Sequence, residues 1–311
     1  MWFKNIQAFR LVAPFQLRPD QLEDYLLNDV ARPFGQLEMS TYGWTPPLGW
    51  PHTALTHSVN GCIILAAKKQ DKLLPRTVVR DQVEEQIALM EQEQSRSVGT
   101  RERRQMMDET TVKLMSKVLV KSSTLWGYID VKNQWILVNT ASRAKAEEFI
   151  ILLRKSLGSL QVMPFSFKRS ISKVLTRWVL NDELPSDFTF ESQCELRAPQ
   201  QEKNIVRMVN QEVQTHEVLQ HIEAGKEIIK LALTWNDRVS FVLHHEFSLK
   251  QIHLLDLVKE QVEDTELSTK EELFHANAAM ICGEFSLLLP RLCEALGGVA
   301  EEVEREEAVA V

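Results

Sequence analysis

Lys226-Glu227-Ile228-Ile229-Lys230-Leu231-Ala232-Leu233-Thr234-Trp235 is followed by Asn236-Asp237 and then by Arg238-Val239-Ser240-Phe241-Val242-Leu243-His244-His245. Large apolar residues recur every second position in both runs, the period of a half-buried strand, and two turn-forming residues separate them. The stretch is therefore a β-hairpin, with Ile229, Leu231, Leu233 and Trp235 toward a core. Lys226, Ile228, Lys230, Ala232 and Thr234 are expected on the other face, with the two lysines about 13 Å apart. A two-residue turn would pair Lys230 with Leu243 and mix core with surface on both sides. Shifting the register by one, through a three-residue loop or a bulge, aligns the apolar set with Val239, Phe241 and Leu243. Burying each such side chain is worth about 1.5–3 kcal/mol, so the shifted register is expected.

Outward from the hairpin, a helix at His216–Ala224 closes at Gly225, and a third strand spans Ser248–Leu255. A long helix from about Lys270 to Leu296 precedes the tail Gly297–Val311. Upstream, residues 182–212 are polar and weakly patterned and are expected to join two lobes. Ala144–Leu157 is helical with Gly158 as C-cap. Leu125–Val131 and Trp135–Asn139 form a second hairpin. Val79, Val83, Ile87 and Met90, then Met107, Thr111, Leu114 and Val118, lie at helical spacing on either side of a polar break, an αα-hairpin expected to project from the body. Cys62–Ala67 reads as a buried strand, Tyr42–Pro47 as an ordered turn, Asp20–Leu27 as a short helix and Trp2–Leu11 as the opening strand. Short elements of both kinds without a βαβ rhythm make the fold class α+β, with mixed sheets and helices.

The 311 residues are 44% hydrophobic and 25% charged, the profile of an ordinary globular protein. With no signal-peptide pattern at Met1–Asn5 and no long apolar run, a cytoplasmic protein with no membrane partner is expected. Cys62, Cys194, Cys282 and Cys293 are unclustered, which suits reduced, buried thiols and no metal. The net charge of −7 is unevenly placed. Residues 256–311 hold fourteen acidic and four basic residues, a balance of −10, so residues 1–255 carry +3. Residues 142–177 alone carry +6. A basic body with an acidic end suits a nucleic-acid binder, although plain proteins also show it.

Catalytic patterns are missing. Gly225-Lys226 is no phosphate loop, since Gln220 stands at the required glycine and Glu227 at the Ser/Thr position. His216 and His221 are five apart, about 140° around a helix where one-face metal binding needs about 40°. His244 and His245 are strand neighbours pointing to opposite faces. No catalytic residues and no cofactor are expected. Charge rows are more informative: Arg76 and Arg80 open the first hairpin helix, and Lys113, Lys117 and Lys121 recur every four residues along the second, about 6 Å per step. Such rows match the repeating charge of a phosphate backbone and read no base sequence; a solvated helix face gives the same pattern.

His221-Ile222-Glu223-Ala224-Gly225-Lys226, continuing through Lys230–Trp235, closely resembles the bacterial recombination-associated protein RdgC family. So do Gly43-Trp44-Thr45-Pro46-Pro47, Leu55-Thr56-His57 with Asn60-Gly61, Lys72–Pro75, Leu153–Leu160, Leu175–Trp178 and Leu296–Gly298, in order along nearly the whole chain. The resemblance implies a ring-shaped homodimer whose basic hole accommodates double-stranded DNA. It implies binding with little sequence preference, restraint of the RecA recombinase, no catalysis and a nucleoid-associated location. It also implies a centre region of residues 1–75 with 122–165 and a helical-hairpin tip of residues 76–121. The base region would be residues 166–311, with a three-stranded antiparallel sheet and C-terminal helices. Dimer contacts at tip and base would close the ring. The DNA-binding set is then Arg76, Arg80, Lys113, Lys117, Lys121, Lys155, Lys226 and Lys230. Departures from the family pattern are Lys117 for an arginine, Leu119 and Ser122 for aromatics, and His275-Ala276-Asn277-Ala278-Ala279 for a more acidic, aromatic run. The alternative is an interaction protein that contacts the recombinase through the acidic C-terminal region; an enzyme is the third reading.

Overall fold

In a computed structural model of the chain, which describes residues 3–35, 38–255 and 269–300, the hairpin adopts the shifted register. Trp235 pairs with Val239, Leu233 with Phe241 and Leu231 with Leu243. Asn236, Asp237 and Arg238 form the three-residue loop, with Asn236 and Asp237 both in the left-handed region at φ 48° and 53°, a conformation that Asn and Asp tolerate best among non-glycine residues.

The pair belongs to an α+β fold built on one twelve-stranded sheet. In chain order the strands are β1 (Ile6–Leu11), β2 (Ser40–Thr45), β3 (Thr56–Val59), β4 (Cys62–Lys72), β5 (Val120–Asp130), β6 (Trp135–Val138), β7 (Val162–Pro164), β8 (Phe188–Ala198), β9 (Gln201–Val209), β10 (Glu227–Trp235), β11 (Val239–His244) and β12 (Ser248–Leu254). Their spatial order is β2-β4-β5-β6-β1-β12-β11-β10-β8-β9, with β3 beside β4 and β7 beside β1. All pairings between these strands are antiparallel. The helices are α1 (Pro19–Leu26), α2 (Arg76–Gln94), α3 (Thr100–Met115), α4 (Arg143–Leu157), α5 (Ile171–Asn181), α6 (His216–Glu223) and α7 (Lys270–Ala295).

Two stretches differ from expectation. Residues 182–212 are no plain connector, for they supply β8 and β9, next to β10 and at the sheet edge. The three strands expected here are thus part of a larger sheet. Tyr42–Thr45 lies in β2, where Ser40–Thr45 pairs in register with Ala66–Asp71; Pro46 ends the strand because it lacks the N–H that a ladder needs.

The two halves of the sheet are covered on opposite faces. On one face α5, α6 and α7 pack over the larger core, which includes Ile6, Ile64, Tyr128, Leu231, Leu243 and Leu249. On the other face α1 and α4 pack over β1 and β4–β6, burying Trp44, Ile63, Ile129, Phe149 and Leu153. No helix core lies on that second face beneath β8–β12 among the described residues. α2 and α3 pack against each other around a separate small cluster of Val79, Val83 and Met106. All four cysteines are free and buried, as expected.

The longest helix, α7, is set by a capping box. The Thr269 hydroxyl accepts from Glu272 N–H at 3.1 Å, and the Glu272 carboxylate accepts from Thr269 N–H at 3.0 Å. Arg291 makes a bidentate pair with Asp187 at 2.8 Å for each bond, and Arg238 in the hairpin loop pairs with the buried Glu284. These bonds fix α7 to the β8–β11 end of the sheet.

Gly43 in β2 allows residues 29–31 to cross directly above it. Ala31 N–H donates to Trp44 C=O at 2.8 Å, and a Cβ at position 43 would lie 2.7 Å from both Ala31 N and Asp29 O. These are backbone atoms and have little room to yield. Gly43→Ala should destabilise by about 1–3 kcal/mol through overpacking. Gly283→Ala, inside α7 with nothing within 4 Å of the new Cβ, should stabilise by about 0.5–1 kcal/mol. Denaturant melts of the two variants beside the parent check this; shifts of the same sign would refute the steric account.

Candidate nucleic-acid interface

The face beneath β8–β12 is left open by the described helices, and strand register decides which side chains it carries. At the end of β10, Ile228 pairs with Leu196 but Lys230 pairs with Glu195, so Ile229 is an inserted bulge residue. The bulge reverses the alternation. Ile228, not Ile229, joins Leu231, Leu233 and Trp235 in the core. Lys230 stays on the open face, whereas Lys226 goes to the helix side, where its Nζ lies 3.1 Å from Nδ1 of His221 in α6. The expectation that the two lysines share one face is corrected on this point.

Lys230 has company that spacing did not reveal. Its Nζ donates to Oε2 of Glu195 at 2.8 Å, and Arg207 of β9 donates to the same oxygen at 2.7 Å. His244 stands directly across from Lys230. Lys250 of β12, paired in register with Val242, adds a further cation and makes no ion pair among the described residues. Ala232 faces Val242 and Thr234 faces Ser240, giving the middle of this face a floor of short side chains. Lys250 was legible, since Leu249 pointing inward turns its neighbour outward; Arg207 was hidden by reading its segment as a linker.

Electrostatics follow from this crowding. Burial, then the positive charges of Lys250 and Lys230, hold His244 down to a pKa of about 3. Burial, then Lys230, lowers the Lys250 pKa. Against its own burial, Glu195 is held below the usual carboxylate range by hydrogen bonds and charge from Lys230 and Arg207. This is the pattern of a surface with surplus positive charge.

The remaining sequence-derived candidates lie elsewhere. Arg76 and Arg80 are exposed in the first turns of α2, with Arg80 Nε 3.9 Å from both Asp81 and Glu84. Lys113, Lys117 and Lys121 form no helical row. α3 ends at Met115, Lys117 lies in the following turn, and Lys121 is in β5 opposite Asp71. The ladder with β4, which runs out to Lys72, claims the chain from Val120 onward and interrupts the helical spacing. Lys155 near the end of α4 pairs with Asp29 at 2.6 Å while its side chain stays 70% exposed. The acidic stretches 256–268 and 301–311 lie outside the described residues. Among the described residues no group of three or more His, Cys, Asp or Glu side chains could hold a metal ion.

A profile of the family described as "Putative exonuclease, RdgC" matches residues 1–299. The recombination-associated protein RdgC of Proteus mirabilis is 36% identical over 301 residues, covering 97% of this chain and all of the relative. Those of Yersinia enterocolitica and Yersinia pestis are 36% and 35% identical over the same length. The chain belongs to the RdgC family. In the seam between α7 and β3, His275 places Nδ1 3.2 Å from Nε2 of His57, with the Phe274 ring edge-on to His57.

Because His244 is held neutral in the fold, its usual value of 6.5 is lowered to about 3. The unfolded chain therefore takes up the proton first. This contribution to stability is complete above pH 6.5 and is lost progressively as pH falls toward 3. His244→Gln should flatten the acid limb of Tm between about pH 6.5 and 4. Parallel Tm profiles for variant and parent would contradict the neutral, half-buried imidazole.

Proposed function

We propose that this RdgC protein binds double-stranded DNA through its phosphate backbone, without reading base sequence and without hydrolysing it. The observation that carries the reading is the open face of β8–β12, where Lys230, Lys250 and Arg207 stand around a floor of short side chains. Lysine and arginine on a broad sheet meet repeating phosphates irrespective of base order, and among the described residues no recognition helix is aimed outward from this face to enter a groove. The same side of the sheet carries α4, whose last turn holds Arg154 and Lys155. Positive charge thus extends beyond the open face. Two copies arranged as a ring, with the α2–α3 pair as a projecting tip and the α7 end as the base, would present these faces toward an enclosed duplex. Occupying DNA in this way would restrain the RecA recombinase in the cytoplasm, at the nucleoid. Arg76, Arg80, Lys113, Lys117 and Lys121 would then add contacts near the tip.

The family description favours one other reading, an exonuclease. The two readings separate in a single assay. With magnesium present, end-labelled duplex should remain intact over hours at protein excess, and progressive shortening would establish the nuclease instead.

For binding itself, fluorescence anisotropy with unrelated duplexes should give similar affinities and a steep loss as salt rises. Lys250→Gln should weaken every duplex several-fold and reduce the slope of log K against log salt by about 0.9, the value for one lost phosphate neutralisation. Binding confined to one sequence, or an unchanged slope in the variant, would overturn backbone recognition by this face. Small-angle scattering should report a dimer with a central hole, and a compact monomer would remove the ring.

A further inference from the structure

We propose that Glu195 is an internal counter-anion of the DNA-binding face, a carboxylate that occupies Lys230 and Arg207 in the free protein and competes with a backbone phosphate for them. The inference rests on the DNA-binding reading above. Glu195 lies in β8, between β10 and β9, and register brings one cation from each neighbour onto its Oε2, at 2.8 Å and 2.7 Å. The carboxylate is 9% exposed, whereas the Lys230 and Arg207 side chains are 27% and 68% exposed. The acid thus sits beneath the cations, which cover it and face solvent.

A carboxylate and a phosphate oxygen take the same charge-assisted bonds from lysine and arginine. A phosphate reaching this place must draw the cations from a partner already in contact, and it meets the repulsion of a fixed negative charge beneath them. The cross-strand neighbours of Glu195 are the two cations themselves, Lys230 on one side and Arg207 on the other. Lys250 makes no ion pair among the described residues, although Glu246 and Glu195 act on it at longer range, and is thus better placed to meet a phosphate directly. Glu195 therefore makes duplex binding weaker and less salt-sensitive than the cations alone would make it, which favours release and movement along DNA.

The test is Glu195→Gln, which keeps the shape and one acceptor but removes the charge. At low salt the variant should bind a short duplex several-fold tighter than the parent. Its slope of log K against log salt should steepen by about 0.9 for each further phosphate that the released cations neutralise. Glu191→Gln is the control: Glu191 accepts from the Thr234 hydroxyl at 2.7 Å on the same face and has no cation partner among the described residues. It should change affinity by less than twofold. Unchanged or weaker binding by a folded Glu195→Gln variant overturns the proposal, as does an equal gain in Glu191→Gln. A second measurement does not depend on that variant folding. Arg207→Gln in the parent should weaken binding less than Lys250→Gln does, because part of the Arg207 charge is already engaged by Glu195; the reverse order overturns the proposal. Failure of the parent to bind any duplex removes the DNA reading and this inference together. Binding by the parent without tightening in Glu195→Gln removes the inference alone.

Discussion

A continuous antiparallel sheet must be covered on every apolar face, and the packing of α7 settles which face of this one is left to water. Through Ile281, Phe285, Leu288 and Leu292, α7 belongs to a single core that holds Ile64 and Tyr128 at one end and Leu231, Leu243 and Leu249 at the other. With one face of both halves closed in this way, α1 and α4 close the second face only over β1 and β4–β6. What remains is the second face of β8–β12, and its side chains follow from period-two alternation and the register shifts between these strands. Lys230, Lys250, Arg207 and Glu195 are together because the apolar residues alternating with them had to go to the helices.

The electrostatics of that face turn on proximity more than on number. The protein is acidic overall, yet residues 1–255 are net positive, and the open face concentrates part of that surplus. Burial, then like charge nearby, lowers the pKa values of Lys250 and His244, so added positive charge there is already resisted. Glu195 relieves the crowding from below. The face is thus poised between self-repulsion and self-pairing, and an incoming polyanion relieves the first while disturbing the second. Such a balance suits the proposed role, binding wherever duplex is found and letting go again.

How much was legible in the sequence follows strand by strand. The β10–β11 register was readable because Val239, Phe241 and Leu243 leave one solution that keeps apolar side chains together. The destination of Lys226 was not readable, because the bulge at Ile229 answers to β8, a partner distant in sequence. β8 and β9 themselves escaped notice for a physical reason. One of their faces is in water and β9 is an edge strand, so Ile205 and Val209 are exposed and the apolar alternation is diluted by polar residues on the inward side as well. The row Lys113-Lys117-Lys121 failed differently: the spacing was helical, but a ladder already begun by β4 claimed the chain after Met115. A helix end fixed by local chemistry, Gly158 closing α4, came through intact.

The same distinction bears on how a family diverges while its surface keeps working. Contacts that set the register of the sheet are collective, so a single substitution rarely moves them. Contacts at the seam between α7 and β3 are individual, such as that of His275 with His57. Phosphate recognition by an open sheet belongs to the collective kind. It needs cations at roughly the right spacing on a face held flat by strands, and it tolerates exchange of one cation's position for another, because backbone charge repeats along the duplex. A site that reads bases has no such freedom, since each donor must meet one acceptor. At 36% identity over 97% of the chain, a fold that presents charge by register would preserve the proposed backbone-binding face even where individual lysines and arginines change places.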